Sequence, residues 1–385
     1  MKRCNNLYNS IISIENLKVA DQNARKNKNN RNEINEHDKI VESNLNNLHL
    51  WLKNKTYKTS KYKVFKVFEP KERDVYKLPY FPDRIVHHAI MNILESIWVK
   101  SFTSNTYSCI KSKGIHDAFK KLKYCLHSNK ENTAYCLKLD ISKFYPSINH
   151  DILKTIIRKK IKDNDLLWLL DEIIDSVEFG VPIGNYLSQF FANLYLNYFD
   201  HWLKEELKVK YYFRYADDIV ILSNNKPYLH KLLYQIKEYL TINLKLEVKN
   251  NYQVFPVEKR GIDFVGYKFY HNHILVRKSI KKAFCRKLHK VAKINTIASY
   301  YGWLKHANCK NLLKKLTIDY VEMKKFSDLN IKLKPKSFSG IKKNIEEIIN
   351  IEIILNDFKI TKSKFNKDNN SSNDCLCLDY NLKWY

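Results

Sequence analysis

Two neighbouring carboxylates stand at a tight bend between two apolar segments of the chain. They are Asp217 and Asp218, with Phe213–Ala216 before them and Ile219–Leu222 after them. The two segments have the character of strands in one hairpin, and a bend between strands can turn both acids toward one edge. Two anions side by side repel each other, and hard divalent cations bound through oxygen are the usual way to neutralise them. The pair therefore indicates a metal site, with a polar turn that contains two aspartates by chance as the alternative.

A second apolar strand is predicted over residues 134–139 and ends in Asp140. Because carboxylates at strand ends can converge, Asp140 could join Asp217 and Asp218 in one cluster. Such a cluster can hold two Mg²⁺ ions, and two-metal sites stabilise the attacking and leaving oxygens of an in-line phosphoryl displacement. Polymerases and nucleases both use that geometry. The three acids therefore predict an enzyme of phosphoryl transfer.

The elements that must position these acids can be predicted from hydrophobic periodicity. Apolar residues at helical spacing predict a helix between Ile40 and Leu52. Period-two alternation, interrupted by a polar turn, predicts a β-hairpin over residues 62–80. The elements predicted near the acids are a helix over 188–202, a helix over 227–240 and a strand over 244–248.

Four segments, in this order along the chain, resemble the palm motifs of reverse transcriptases. They are Leu139–Tyr145, Gly180–Gln189, Tyr215–Asp218 and Phe264–Tyr267. The resemblance implies an α/β (α+β) protein with the right-hand form of a polymerase: fingers, a palm of antiparallel sheet plus helices, and a helical thumb. The expected division is an N-terminal helical extension over 1–60, fingers over 61–130, palm over 131–268, thumb over 269–325 and a small β-rich C-terminal appendage over 326–385.

The middle motif discriminates among the subfamilies. Most bacterial intron and retron relatives have a glutamine and a proline where this chain has Ile183 and Gln189. With Phe81–Ala89 and Tyr301–Ala307, this version resembles the reverse transcriptases of diversity-generating retroelements. Such enzymes copy a template RNA into cDNA with errors at adenines, and the cDNA replaces a variable segment of a target gene. The aliphatic side chain of Ile183 cannot hydrogen-bond, so we expect looser checking of the nascent base pair. The alternative is that Ile183 only packs under the following helix.

The resemblance also implies the ligands of the metal ions. By the family pattern Asp140, Asp217 and Asp218 bind them, and the carbonyl of Ile141 can add an oxygen at the same strand end. Two Mg²⁺ ions are expected, with Mn²⁺ as a substitute. The implied partners are a template RNA, a cDNA primer, dNTPs and a small basic homo-oligomeric accessory protein.

The same family pattern implies contacts to the incoming nucleotide. Lys71 and Arg73, at the tip of the predicted hairpin, would hold the triphosphate, on whose oxygens charge builds as the bond breaks. Tyr145 would close off the 2′-hydroxyl side of the sugar and so favour dNTPs, with a buried core tyrosine as the alternative. Gly184 would let the backbone approach the nascent base pair, and Gln189 belongs to the same motif.

Contacts to primer and template are expected at two further places. Lys111 and Lys113 form a basic loop that can contact backbone phosphates. Tyr215, Gly266 and Tyr267 would lie beside the primer end, where a glycine lets the backbone come close.

The proton donor for the departing pyrophosphate has no clear candidate. Related enzymes often have a lysine just beyond the strand predicted over 244–248. Tyr252 or Gln253 stands at the aligned position, and Lys249 comes three residues early. The general acid is therefore left unassigned.

Composition is consistent with a nucleic-acid enzyme. The chain has 68 Lys and Arg against 40 Asp and Glu, a formal net charge of +28, which attracts polyanions. Skewed genomic base composition is an alternative cause of the lysine excess. No run of eighteen apolar residues exists and no apolar signal core follows Met1–Arg3, so a cytoplasmic protein is expected. The eight cysteines lack the spacing of zinc sites and are expected to be free thiols.

Other functions remain open at this level. A reverse transcriptase of a phage-defence or group II intron system would share the palm motifs. A two-metal nuclease would share the carboxylates but would not need Tyr145, Gly184 or the turn at Phe264–Tyr267. A non-catalytic RNA-binding scaffold would have no need of all three acids.

Overall fold

The computed structural model divides the chain into two compact units, residues 1–310 and residues 311–385. The structure describes residues 3–26, 28, 32–68, 72–289, 294–309, 311–312, 353–362 and 374–382.

Four helices begin the first unit. They are α1 (Tyr8–Ile12), α2 (Ile14–Arg25), α3 (Asn32–Asp38) and α4 (Val41–Lys53). The predicted helical spacing is observed in α4, where Leu45, Leu48 and Leu52 are buried and Ile40, just before the helix, is exposed. The side chain of Asn16 in α2 donates a 3.0 Å hydrogen bond to the carbonyl of Ala89. The N-terminal helices thus pack on the fingers.

The fingers consist of a hairpin and two helices. The hairpin comprises β1 (Lys63–Val67) and β2 (Arg73–Lys77), which pair antiparallel with Val67 opposite Arg73. The helices are α5 (Ile85–Val99) and α6 (Ile115–Ser128). Every residue of β1 is exposed, whereas α5 is apolar and largely buried, so the hairpin projects from a core that α5 anchors.

The palm is a four-stranded antiparallel sheet in the order β4-β5-β3-β6. The central strands β3 and β5 are buried on both faces, because Leu137 and Ile221 lie in the main core and Cys136 and Val220 are equally inaccessible. The palm elements are β3 (Tyr135–Asp140), α7 (His150–Arg158), α8 (Asn164–Ile174), α9 (Tyr186–Tyr195), α10 (Asn197–His201), β4 (Tyr211–Tyr215), β5 (Asp218–Ser223), α11 (Lys226–Leu244) and β6 (Gln253–Pro256).

Two palm predictions need adjusting. The helix predicted over 188–202 begins at Tyr186 and is divided between α9 and α10. The strand predicted over 244–248 is instead an irregular segment with one isolated bridge between Ile141 and Val248. Lys249, directly after that segment, donates its backbone amide to the carbonyl of Asp140 at the end of β3.

A small three-stranded sheet and two longer helices complete the described part of the first unit. The elements are α12 (Val257–Arg260), β7 (Ile262–Phe264), β8 (Tyr267–Phe269), β9 (Ile274–Val276), α13 (Lys278–His289) and α14 (Ile294–Leu304). The turn before β8 requires Gly266, which has φ +87° and whose Cβ would collide with the ring of Trp303 in α14. A glycine therefore lets α14 pack on this sheet.

In the second unit, β10 (Ile353–Lys362) and β11 (Asp374–Leu382) form an antiparallel hairpin. The predicted α/β fold class, with an antiparallel palm sheet among helices, is confirmed. Six of the eight cysteines are free thiols in the part of the chain that the structure describes. Within that part, no helix combines the length and apolar character that crossing a bilayer requires.

Candidate active site

The palm sheet brings the three predicted acids to one edge. Asp140 is the last residue of β3 and lies opposite Asp218, the first residue of β5. Asp217 occupies the bend between β4 and β5, and its carbonyl accepts a 3.4 Å hydrogen bond from the amide of Ile141. The strand pairing and this hydrogen bond therefore keep the backbones of all three acids close to one another.

Two of the carboxylates share one cation. The ammonium of Lys249 lies 3.8 Å from Oδ2 of Asp140 and 4.0 Å from Oδ2 of Asp217, and each side chain is about one-third exposed. The backbone amide of Lys249 donates a 2.9 Å hydrogen bond to the carbonyl of Asp140, which fixes the lysine to the strand end. Lys249 stands three residues before the position at which related enzymes often have a lysine, and the sequence alone left the general acid unassigned.

Burial and charge both act on Asp217. Partial burial raises the pKa of its carboxyl group, and the neighbouring charge of Asp140 raises that pKa further. The positive charges of Lys249 and Arg73 act in the opposite direction. A pair of carboxylates that repel each other in a partly desolvated place is stabilised by a bound cation.

The third acid faces a different partner. The carboxylate of Asp218 forms an ion pair with Lys138, whose ammonium also lies 5.3 Å from the ring centroid of Phe264. Burial lowers the pKa of Lys138 to about 8. In the described residues, no three His, Cys, Asp or Glu side chains are grouped so that they could hold a metal ion. The expected three-carboxylate cluster is thus reduced to Asp140 and Asp217, with Asp218 turned toward a lysine.

The remaining pair still suits a divalent cation. Asp140 and Asp217 offer carboxylate oxygens, the ligands that Mg²⁺ prefers, and they already have one positive group between them. Ile141 is fully buried at the strand end, and the role of its carbonyl as a further ligand stays a prediction. Water and substrate oxygens usually complete the coordination of Mg²⁺ at sites with one or two carboxylates.

Tyr145 is held beside the acids by the segment that follows α8. Its carbonyl accepts a 3.0 Å hydrogen bond from the amide of Val181. Gly180, with φ +66°, is required there because a Cβ would collide with the backbone of Tyr145 and Pro146. Burial raises the pKa of the Tyr145 hydroxyl, and the charge of Asp217 raises it further. The half-buried ring thus lies in the electrostatic range of the acidic edge and is neutral at physiological pH.

The motif around Gly184 is fastened to the fingers hairpin. The amide of Tyr76 donates a 2.8 Å hydrogen bond to the carbonyl of Ile183. Gly184 has φ +119°, and a Cβ would lie 2.6 Å from the carbonyl oxygen of Tyr76. Ile183 is half-buried and Gln189 is exposed. The contact between the segment before α9 and strand β2 therefore requires a glycine at position 184.

A cavity of about 420 Å³ opens between this motif, the hairpin and α5. Its lining contains both aromatic and basic side chains, a combination that is common in sites for single-stranded nucleic acid. His88 stacks on Tyr186 with 4.8 Å between ring centroids, and burial lowers its pKa to about 4, so it contributes no charge at neutral pH. The lining includes Lys28, Phe65, Val75, Lys77, Arg84, His88, Gly184, Tyr186 and Gln189.

The basic residues predicted for phosphate contacts are only partly described. Arg73 begins β2, is exposed, and acts electrostatically on both Asp217 and Tyr145. Lys71 lies outside the described residues. Lys111 is exposed and Lys113 half-buried in a tight turn, in which the amide of Lys113 donates to the carbonyl of Ile110.

Two of the residues predicted at the primer, Tyr267 and Gly266, pack against Trp303 of α14. Tyr267 is fully buried, and its hydroxyl donates a 2.9 Å hydrogen bond to the carbonyl of Trp303. Its side chain therefore belongs to the core and cannot contact a primer. Gly266 packs against the same tryptophan. Tyr215 is half-buried at the end of β4, next to the acidic bend.

The chain is similar in sequence to several known proteins. The chain is 24% identical over 234 residues to Protein YkfC of Escherichia coli, covering 50% of this chain and 61% of the relative. It is 27% identical to the retron Ec73 reverse transcriptase of Escherichia coli, with 46% and 58% covered. It is 26% identical to the group II intron-encoded protein LtrA of Lactococcus lactis, with 35% and 23% covered. The chain thus spans about three-fifths or less of the length of these relatives.

Solved structures that resemble this chain include apo telomerase from Candida tropicalis. The TM-score is 0.45 at 12% sequence identity, and the match covers 69% of this chain and 58% of that chain. A family model described as reverse transcriptase (RNA-dependent DNA polymerase) matches residues 69–269, which include Asp140, Asp217 and every palm strand. Because that match extends over more than half of the chain, the protein belongs to the reverse transcriptase family.

Proposed function

We propose that this chain is an RNA-directed DNA polymerase that extends a primer 3′-hydroxyl on an RNA template with dNTPs. The observation that carries the proposal is the meeting of Asp140 and Asp217 around one positive charge, at the edge of the palm sheet, within the region that the family model matches. Primer extension needs a cation at that edge to stabilise the oxygens of the transferring phosphoryl group.

The chemistry would depend on two bound divalent cations, which would be Mg²⁺ ions or, as a substitute, Mn²⁺ ions. They would lower the pKa of the 3′-hydroxyl and neutralise the triphosphate. Asp140 and Asp217 would hold them, together with the carbonyl of Ile141. Asp218 is a further ligand in this proposal, and it would have to release Lys138 to take that role.

Lys249 is the proposed proton donor to the departing pyrophosphate. Its ammonium is within about 4 Å of both acids, and its backbone is fixed to β3. Bound cations would repel the ammonium from its position between the carboxylates, and a phosphate oxygen beside the site is an acceptor that it could then reach.

The other contacts follow the family pattern. Arg73, with Lys71, would hold the triphosphate, and Tyr145 would exclude the 2′-hydroxyl. Gly184 and Gln189 would lie at the nascent base pair, next to the basic and aromatic cavity. The proposed contacts to primer and template are Lys111, Lys113, Tyr215 and the backbone of Gly266.

The finer proposal is error-prone synthesis for gene diversification. Ile183 presents an aliphatic side chain beside Gly184, where most relatives have an amide, so it cannot check the nascent pair by hydrogen bonding. The test is the misincorporation rate opposite template adenine for wild-type chain and Ile183→Gln. A lower error rate for the variant supports the proposal, and an unchanged rate removes it.

Partners, location and domain boundaries belong to the same proposal. A template RNA and a small basic homo-oligomeric accessory protein would act with the chain in the cytoplasm. The proposed divisions are 1–60, 61–130, 131–268, 269–325 and 326–385. Limited proteolysis of the full chain tests the divisions at 60/61, 130/131 and 325/326, since cleavage should concentrate near them. The division at 268/269 falls inside strand β8, where no cleavage is expected.

The decisive experiment is primer extension by the purified full chain on an RNA template. Wild-type protein should incorporate dNTPs in the presence of Mg²⁺, should discriminate against NTPs, and should bind less tightly as salt rises. Asp217→Ala should be inactive, while Glu36→Ala, an exposed acid of α3, should keep full activity. Degradation of the substrate in place of extension would favour a two-metal nuclease, and neither activity would favour a scaffold.

A second candidate is a reverse transcriptase of a phage-defence or group II intron system. The similarity to the retron and group II intron proteins favours it. A template–variable repeat pair beside the gene would favour the retroelement, and its absence would favour this second candidate.

A further inference from the structure

The bend that carries Asp217 contains an unfavourable backbone conformation. Ala216, directly before Asp217, has φ +55°. For a residue with a Cβ this left-handed conformation is sterically unfavourable, and it persists only where the surrounding structure holds it. The direction of the Asp217 side chain depends on this backbone, because the two residues share a peptide plane.

A buried arginine holds the bend from behind. Nη1 of Arg214 donates a 3.0 Å hydrogen bond to the carbonyl of Ala216, so the guanidinium bonds the chain two residues further on. Arg214 is completely inaccessible to solvent. Its remaining donors are occupied: Nε and Nη2 bond both carboxylate oxygens of Asp200 at 2.7 and 2.5 Å, and Nη1 also bonds Asn193 at 3.2 Å.

The partners of Arg214 are themselves fixed. Asp200 in α10 is fully buried and accepts hydrogen bonds from the hydroxyls of Tyr212 and Thr106. Asn193 in α9 donates a 2.8 Å hydrogen bond to the carbonyl of Ser108. The guanidinium therefore has one permitted plane and one permitted position, set by two helices, a strand and a loop.

Stability alone does not account for this arrangement. A buried ion pair gains little over well-packed apolar residues of similar volume, because desolvation of both charges offsets their attraction. Arg214 lies in a strand whose other residues are aromatic, so an apolar side chain would suit the position. What an apolar residue would not supply is a donor directed at the Ala216 carbonyl.

We propose that Arg214 is a positioning residue, which fixes the left-handed bend at Ala216 and thereby directs the carboxylate of Asp217 toward Asp140. Asp200 acts through Arg214 by fixing the plane of the guanidinium. A lysine cannot replace it, because a single ammonium cannot bond a carboxylate in two places and also reach the bend. The inference rests on the proposed function, since it concerns the divalent cation that Asp140 and Asp217 would share.

The test measures Mn²⁺ affinity of the full chain by electron paramagnetic resonance, without primer, template or nucleotide. Arg214→Lys should weaken Mn²⁺ binding about tenfold, since the bend is then free to leave its left-handed conformation. Adding Ala216→Gly to Arg214→Lys should restore most of the affinity, because glycine adopts positive φ without a steric penalty. If Arg214 only filled space in the core, adding Ala216→Gly would not restore the Mn²⁺ affinity that Arg214→Lys loses.

The matched control is Tyr212→Phe. It removes one hydrogen bond to Asp200 from the same buried network but none to the bend, so Mn²⁺ affinity should stay within about twofold while the thermal midpoint falls. If Arg214→Lys does not fold, Ala216→Val decides, because it leaves Arg214 intact but makes the left-handed bend costlier. Ala216→Val should weaken Mn²⁺ binding.

Three results would overturn the inference: a folded Arg214→Lys chain with wild-type Mn²⁺ affinity, no recovery on adding Ala216→Gly, or full affinity in Ala216→Val. Failure of the proposed function looks different. A wild-type chain that binds Mn²⁺ with the expected dependence on Arg214 but extends no primer removes the polymerase proposal and leaves the positioning role.

Discussion

The palm contains two ionic sites that differ in almost every physical respect. The Asp200–Arg214 pair is fully buried, with bonds of 2.5 and 2.7 Å. The acidic edge is about one-third exposed, and its ammonium is 3.8 and 4.0 Å from the carboxylates of Asp140 and Asp217. One site is rigid and has all its partners, and the other is loosely neutralised by a group that another cation could replace.

The difference indicates a division of roles. Strong hydrogen bonds hold the backbone behind the bend, where nothing needs to change during a reaction. At the edge itself, the weak contact to Lys249 costs little to break, because partly exposed ion pairs contribute only about 0–1 kcal/mol. We therefore expect substitutions at the buried pair to change folding and, through the bend at Ala216, cation binding. Substitutions at the edge should change chemistry and leave folding intact.

The largest expected effect is on catalysis at the edge. Asp217→Asn removes a negative charge but keeps the shape, so primer extension on RNA should fall on the order of 10³-fold, the loss of several kcal/mol of transition-state stabilisation. The thermal midpoint should change little. The measurement is the single-turnover rate of dNTP incorporation. An Asp217→Asn chain that unfolds, and does not merely react more slowly, would contradict the assignment of Asp217 to chemistry.

The next effect is on folding. Asp200→Ala leaves the Arg214 charge buried without its partner, which should lower the free energy of unfolding by about 3–5 kcal/mol. Urea denaturation followed by circular dichroism measures it, with Asp217→Asn as the comparison. An Asp200→Ala chain as stable as wild type would show that the buried pair is not the rigid part of the palm.

A buried histidine in the fingers should make the stability of the fold depend on pH. Burial lowers the pKa of His87 to about 3, below the value of about 6.5 in an unfolded chain. As pH falls below 6.5 the unfolded state takes up a proton that the native state does not, so stability should fall by about 2 kcal/mol between pH 7 and pH 5 through this group. His87→Gln should reduce that slope, measured by urea denaturation at both pH values.

The smallest effect concerns the exchangeable cation. Lys249→Gln removes the positive group that competes with a metal ion between Asp140 and Asp217, so Mn²⁺ affinity of the substrate-free chain should rise by about threefold. Primer extension should nevertheless become slower, because the proposed proton donor is gone. Weaker Mn²⁺ binding in this variant would show that Lys249 supports the site and does not occupy the cation position.

The backbone arrangement of this edge was predictable, but its side chains were not. Strands that end in Asp140 and begin at Asp218 follow from local patterns of apolar residues, so the antiparallel palm could be foreseen. Which acid meets which base depends on side-chain direction. The pairing of Asp218 with Lys138 and the approach of Lys249 therefore appear only in three dimensions.

Long-range partners were equally hidden. Arg214 stands out in an apolar strand and so signals a buried charge, but nothing in its neighbourhood identifies Asp200 in a separate helix as its counterion. The burial of the Tyr267 side chain was hidden for a similar reason, because its partner is Trp303 in α14. A motif indicates where the backbone turns, and only packing shows which side chains remain accessible.

The most direct test of the account is Mn²⁺ binding to the full chain, measured by electron paramagnetic resonance for Asp140→Asn, Asp217→Asn and the exposed control Asp263→Asn. We expect the first two variants to lose the site and the control to retain it. Mn²⁺ affinity unchanged by both substitutions would contradict the claim that these two carboxylates form the cation site of a polymerase.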